Sequence, residues 1–182
     1  WLRRNTHANL HADLIAGLPG EDLGSFANGF NRLVALDPHE IQIGILKRLR
    51  GTPIIRHTAA FDLRFNPHPP YNLLSSQLLD FAMLRRLERF ARYWDLIGNS
   101  GRFHQTRPLL LGSDPFGRFM TLSDWLFATT GQTHQLALER LIQQAISVER
   151  RRELDLYKRY ASDPDFKRAF DASVSRLLTS AA

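Results

Sequence analysis

Few side chains in this sequence have the types and spacing that chemistry needs. Asp13 and Glu21 could form a pair of carboxylates for acid–base work, or Glu21 could simply favour the start of a helix. His7 and His11 could share a metal on a helix, but His11 lies in a predicted strand, where four residues span about 13 Å. No serine occupies a G-x-S-x-G turn. The residues themselves therefore predict no catalytic group and no metal site.

The composition is that of a globular protein without thiols. The 182 residues include no cysteine, which excludes disulfides, cysteine nucleophiles and an iron–sulfur cluster held by this chain alone. No apolar run approaches the roughly 20 residues of a membrane span, and no charged-then-apolar leader opens the sequence. We therefore expect a cytoplasmic protein that does not enter a membrane.

Two short apolar runs flank a helical pattern near the amino terminus. Residues 10–16 and 41–46 predict strands, and apolar residues recur at helical spacing over 23–34. Glu21 and Asp22 are expected in the first turn of that helix. A strand, a helix and a strand in so short a segment predict a βαβ unit with parallel strands, whose following loops share one edge of the sheet.

The alternation within these strands predicts one polar face. His11, Asp13 and Gln42 fall on that face, whereas a parallel strand covered on both sides is normally apolar throughout. The polar face is therefore expected to line a cavity, as inside a barrel. Two strands alone leave edges and a face exposed. We expect the helical domain, a second copy of the chain or a rearrangement to cover them.

The rest of the chain predicts helices after a proline-rich linker. Asn66 to Tyr71 contains three prolines, and a domain boundary is predicted between residues 65 and 66. Helices are predicted from Ser75 or Ser76 to about Ile97, from Asp114-Pro115 to Gly131, from Thr133 onwards, and from Ser162-Asp163-Pro164 to about Leu178. The predicted fold class is α/β plus α, with a βαβ unit in residues 1–65 and a mostly helical domain in residues 66–182.

The net charge of +6 allows a nucleic-acid partner but does not require one. Arg86, Arg89 and Arg92 lie close to aromatic residues and could help to stack bases. At helical spacing, however, Trp94 continues the apolar stripe of the same helix. Core packing is therefore favoured, and RNA binding is kept as an alternative.

Two segments together resemble a known enzyme family. Residues 13–21 read D-L-I-A-G-L-P-G-E, and the second strand is followed by L-R-G-T-P at residues 49–53. This pairing resembles the fifth and sixth strands of the partial TIM-type barrel of radical S-adenosylmethionine (radical SAM) enzymes. It is similar to segments of oxygen-independent coproporphyrinogen oxidases and methylthiotransferases. Residues 66–130 resemble an uncharacterised helical domain that follows this core in certain bacterial proteins with an amino-terminal cobalamin-binding domain.

The resemblance implies four cofactor-binding residues. Ile15 and Gly17 match the motif that contacts the adenine of SAM, and Leu46 and Lys47 match a backbone contact to the same base. The cysteine triad C-x-x-x-C-x-x-C that holds the [4Fe–4S] cluster in this family is missing.

The resemblance therefore implies a carboxyl-terminal fragment of a larger Fe–S oxidoreductase, inactive alone, whose partner is the rest of the parent chain. It leaves the substrate, and the use of cobalamin by the parent, open. The alternative function is a helical module that binds protein or RNA without catalysis.

Overall fold

The computed structural model describes residues 1–138, 140–147, 162–165 and 168. Residues 1–136 form one compact unit and residues 137–182 another. The elements of the first unit are α1 (Leu2–Asn5), β1 (His11–Ala16), α2 (Leu23–Leu36), β2 (Glu40–Ile45), a 3₁₀ helix (Pro53–His57), β3 (Arg64–Phe65), β4 (Leu73–Ser75), α3 (Phe81–Ile97), α4 (Arg107–Leu111) and α5 (Pro115–Thr130). This unit includes both sides of the boundary predicted after residue 65, and that boundary stays a prediction.

The predicted βαβ unit is confirmed. β1 and β2 pair in parallel, with Asp13 opposite Gln42 and Ile15 opposite Gly44. The helix between them begins at Leu23, two residues after Glu21. Asp22 is its N-cap and accepts a 2.7 Å hydrogen bond from the N–H of Ser25. The expectation that Glu21 and Asp22 lie in the first turn is therefore wrong, because Asp22 caps the helix and Glu21 precedes it.

The proline-rich segment connects two short paired strands. β3 and β4 are antiparallel, and the turn between them contains a cis bond between Pro69 and Pro70. Residues 71–73 also pair with the chain that leaves β2. The N–H of Leu73 donates to the C=O of Leu46 at 2.8 Å, and Lys47 lies opposite Asn72. This pairing ties the β3–β4 hairpin to the carboxyl edge of the parallel pair.

The long helix α3 starts later than the sequence predicted. Its N-cap is Asp80, whose carboxylate accepts a 2.7 Å hydrogen bond from the N–H of Met83. Ser75 lies in β4, and the hydroxyl of Ser76 accepts from backbone N–H groups in the turn before the helix. The predicted serine cap is therefore wrong. Leu78 precedes the helix and is 51% exposed.

An aromatic cluster joins α2, α3 and α5. The ring of Phe30 is fully buried and meets the rings of Phe90 and Trp94 edge-on, at centroid distances of 5.0 and 4.8 Å. Phe116 and Phe119 of α5 complete the cluster. The predicted start of α5 is confirmed, since Asp114 caps it and Pro115 is its first residue.

The described residues form a mixed α/β structure with short strands and no closed barrel. In the second unit, residues 138 and 140–147 are helical, so the helix predicted after Thr133 forms but starts later. The last predicted helix, to Leu178, lies mostly outside the described residues. No helix in the described part of the chain has the length and apolar character needed to cross a bilayer.

Candidate functional site

One face of the β1–β2 pair is polar and open. Side chains of residues that pair across parallel strands share a face. The open face consists of His11, Asp13, Ile15, Glu40, Gln42 and Gly44. Nδ1 of His11 lies 2.9 Å from a carboxylate oxygen of Glu40, and Asp13 and Gln42 are exposed. The opposite face packs against the helices, where Ile41 is 3% exposed. The alternation predicted for these strands is therefore confirmed.

The open face is not covered by the helices of the same unit. α3 packs on the other side of β2, where its Trp94 and the buried Ile41 line one small cavity. α2 lies on that same side, because a Cβ added to Gly29 would lie 3.4 Å from Leu14. The helices of residues 66–136 therefore do not cover the polar face, although the helical domain was expected to do so. Covering by a second copy or by a rearrangement stays a prediction.

Ile15 stands at the carboxyl end of the open face. Its side chain is 43% exposed, which is unusual for isoleucine in a strand. Its partner across the sheet is Gly44, where an added Cβ would meet nothing within 4 Å. Ile15 and Gly44 thus form a small apolar surface, which we call the apolar shelf. No side chain of the described residues covers Gly44 on this face. A flat ring could lie on this shelf.

Gly17 and Leu46 lie beneath the surface. Gly17 has a φ of +90°, and a Cβ there would lie 2.5 Å from Cδ2 of Leu73. Leu46 is 8% exposed, its N–H donates to the C=O of Ala16, and its C=O accepts from Leu73. Both residues are therefore held against the β3–β4 hairpin. The close approach of Leu73 gives a physical reason for glycine at position 17.

Lys47 is exposed and follows Leu46 at the same edge. Its peptide N–H and C=O have no hydrogen-bond partner among the described residues, although its neighbours on both sides are bonded to residues 71–73. The structure thus brings the four predicted residues to one edge. Two of them, Ile15 and Lys47, remain accessible there.

Glu21 holds the loop between β1 and α2. Its carboxylate accepts hydrogen bonds from the N–H of Gly17 at 3.0 Å and of Leu18 at 3.4 Å. Desolvation by burial, the largest influence, and the charge of Asp22 together raise the pKa of Glu21, although the two hydrogen bonds act in the opposite direction. Sequence reasoning assigned Glu21 to the helix. Its position four residues after a turn glycine is the signal that could have indicated this bond.

Neither of the other sequence candidates forms a site. No hydrogen bond or ion pair joins Asp13 to Glu21 within the described residues. The described residues also contain no group of three or more potential metal ligands. A cavity of about 10 Å³ beside Trp94 and Arg107 has room for about one water molecule and none for an organic ligand.

The arginines of α3 are engaged within the protein. Arg86 makes two hydrogen bonds to Asp124, of 2.6 and 3.3 Å, and this bond raises the pKa of Arg86. Arg85 pairs with Glu88 and Arg92 with Asp95. Phe90, Tyr93 and Trp94 of the helix are at most 1% exposed, whereas Phe81, its first residue, is 55% exposed. The three buried rings cannot stack on bases, so the prediction of core packing is confirmed.

No protein-family model and no curated protein matches this sequence. The proposed function therefore rests on three features of the structure: the open face, the apolar shelf and the exposed Ile15 and Lys47.

Proposed function

We propose that this chain supplies part of the SAM-binding wall of a radical SAM enzyme. In this proposal β1 and β2 are two neighbouring strands of a partial TIM-type barrel, and their open face is the inner face of that barrel. The helices that follow form an accessory domain on the outside. The chain is inactive alone, since it contains no cysteine with which to hold the [4Fe–4S] cluster.

The apolar shelf at Ile15 is the observation that carries the proposal. In parallel α/β structures, ligands bind at the carboxyl ends of the strands, which is where Ile15 and Lys47 lie. Adenine is flat, apolar on its faces and polar at its edge. Its face fits over Ile15 and the uncovered Gly44, and its edge can pair with the free peptide groups of Lys47.

Gly17 and Leu46 have a positioning role in this proposal. Both lie under the surface against Leu73, and the N–H of Gly17 is already bonded to Glu21. They therefore fix the positions of the carboxyl ends of β1 and β2, between which the base would lie. This differs from the direct contact that the resemblance implied for Gly17.

The rest of the parent chain would supply the iron–sulfur cluster. The bound cluster and SAM together provide a reductant and a source of a 5′-deoxyadenosyl radical. The residues of this chain bind and orient the adenine and take no part in electron transfer. The proposal leaves the substrate and any use of cobalamin open. It places the protein in the cytoplasm, since the chain has no cysteine for the disulfides common in secreted domains.

The alternative of a helical protein- or RNA-binding module has less support. The helical residues that suggested RNA are either buried, as Trp94 is, or paired with acidic side chains, as Arg86 is. Arg89 makes no ion pair with any described residue, but its guanidinium already stacks on the ring of Phe127, 4.4 Å from the centroid.

Titration of the chain with SAM, followed by nitrogen–proton correlation NMR, tests the proposal. We expect weak binding, with shifts at the amides of Ile15, Gly17 and Lys47. Ile15→Asn should weaken the binding about tenfold, because it replaces the apolar shelf with a polar group. Leu109→Asn is the matched control, since Leu109 is 56% exposed and lies on α4, which contributes nothing to the apolar shelf, and it should leave binding unchanged.

Two results would contradict the proposal. One is the absence of shifts at these amides at SAM concentrations that saturate other adenosine-binding proteins. The other is a parent gene whose part preceding Trp1 encodes no cluster of three cysteines.

A further inference from the structure

The loop that leaves β2 carries an unbalanced positive charge. We define the basic loop as residues 47–57, which contain Lys47, Arg48, Arg50 and Arg56 and no acidic residue. The nearest acidic residues along the chain are Glu40 and Asp62, and Asp62 is paired with Arg64. None of the four cations makes an ion pair with any described residue. The charge of this loop is therefore available to an outside partner.

Aromatic rings lie beside these cations. The guanidinium of Arg48 stacks over the ring of Phe65 at 5.6 Å from its centroid, and the N–H of Arg48 donates to the C=O of Tyr71. The ring of His57 lies 6.0 Å from that of Phe61. Phe61, Phe65 and Tyr71 are only half-buried. The basic loop thus places four cations without ion pairs beside partly exposed rings, whereas three of the four arginines of α3 are paired with acidic side chains and the fourth, Arg89, stacks on Phe127.

We propose that the basic loop binds single-stranded nucleic acid. Phosphates would pair with Arg48, Arg50 and Arg56, and a base would stack on Tyr71. Stacking of bases on aromatic and guanidinium planes is the means by which proteins bind single strands without reading their sequence. An anionic membrane is the other polyanion to consider, because Leu49 and Ile55 are more than half exposed. Two isolated aliphatic residues make a much smaller apolar face than membrane-binding helices use.

Fluorescence anisotropy with a labelled single-stranded RNA tests this inference, and the same DNA sequence is run in parallel. We expect binding that weakens steeply between about 50 and 200 mM salt. The triple variant Arg48→Gln, Arg50→Gln, Arg56→Gln should reduce the slope of log K against log salt by about 2, since each lost phosphate contact changes it by about 0.7. Equal binding of RNA and DNA supports the proposal, because the proposed contacts are made to phosphates and to the faces of the bases, which both nucleic acids have.

A second triple variant controls for net charge. Arg85→Gln, Arg92→Gln, Arg168→Gln removes the same charge from three exposed arginines, each of which is paired with an acid. It should leave the slope nearly unchanged. Equal losses from the two triple variants would mean that only net charge matters, which overturns the proposal. Melting temperatures close to that of the wild type show that both variants fold.

A single variant separates stacking from charge. Tyr71→Leu should weaken RNA binding about tenfold but leave the binding of inorganic polyphosphate unchanged. An equal effect on both probes, or none on RNA, contradicts the stacking role. Binding to phosphatidylglycerol vesicles without binding to RNA would assign the basic loop to a membrane instead. Because all three substituted arginines lie outside the SAM site, this proposal can fail while SAM binding persists, and the reverse is equally possible.

Discussion

The two faces of the β1–β2 pair share a backbone but differ in polarity and in exposure to solvent. On the covered face, Ala16 is fully buried and Ile41 is 3% exposed, against the helices. On the open face, Asp13 and Gln42 lie in solvent. Neighbouring residues of a strand point to opposite faces, so the environment changes at every residue.

This contrast indicates that one face is enough to hold the unit together. A parallel pair covered on both sides would be apolar throughout. The aromatic cluster around Phe30 lies under the covered face and provides the buried apolar area that stabilises it. The open face is therefore free to carry residues chosen for a ligand. The same separation of roles distinguishes Arg85, Arg86 and Arg92 of α3, which are paired with acidic side chains, from the unpaired cations of the basic loop.

The largest expected effect compares Phe30→Ala with Ile15→Ala. Phe30 is fully buried in the aromatic cluster, and its truncation should lower the free energy of unfolding by about 3–5 kcal/mol. Ile15 is 43% exposed, and its truncation should cost less than about 1 kcal/mol. Urea denaturation followed by circular dichroism measures both values. A similar loss from both variants would mean that the open face is buried in solution, as in a dimer.

A smaller loss of stability is expected at Gly17, which follows the last residue of β1. Gly17→Ala should cost about 2–4 kcal/mol, because a side chain at a φ of +90° is strained and its Cβ would overlap Leu73. Gly51→Ala is the matched control. Its φ is +80°, and nothing lies within 4 Å of an added Cβ, so only the strain of about 1–2 kcal/mol is expected.

A double variant isolates the overlap at Gly17. Leu73 is 1% exposed, so Leu73→Ala alone destabilises the protein. Combined with Gly17→Ala, it should relieve the overlap, and the double variant should be about 1–3 kcal/mol more stable than the sum of the single effects predicts. Strict additivity would show that Leu73 does not press on Gly17 in solution.

Local patterns along the chain were sufficient to predict the parallel βαβ unit. The period of two in β1 and β2 indicated which residues share a face, and Asp114-Pro115 marked the start of α5. The starts of the helices were predicted less accurately, because more than one polar residue near each start could serve as the N-cap. Asp80 rather than Ser76 caps α3, and the choice depends on where the preceding chain turns back after β4.

The arrangement of the candidate site depended on contacts distant in sequence. Gly17 meets Leu73, which is 56 positions further along the chain, and no local pattern indicates that approach. The basic loop contains the sequence Lys47-Arg48-Leu49-Arg50, but whether acidic side chains from elsewhere pair with it depends on the folded chain, in which the nearby Asp62 pairs with Arg64 instead. Pairing of charges and burial of rings are tertiary properties, and a charge count cannot supply them.

The smallest expected effect concerns Glu21, in the loop that joins the strand to the covering helix. Because burial raises its pKa, the folded protein holds this proton more tightly than the unfolded chain does. The resulting stability is complete below the ordinary pKa of glutamate and is lost as the pH rises through the raised value.

Glu21→Gln cannot ionise but keeps an acceptor for the N–H of Gly17. The free energy of unfolding of the wild type, relative to this variant, should therefore fall by a few tenths of a kcal/mol between about pH 4 and pH 7, since solvent screens a half-exposed carboxylate. Denaturant titrations at several pH values measure this difference, and a difference that grows with pH would mean that the hydrogen bonds from Gly17 and Leu18 outweigh burial.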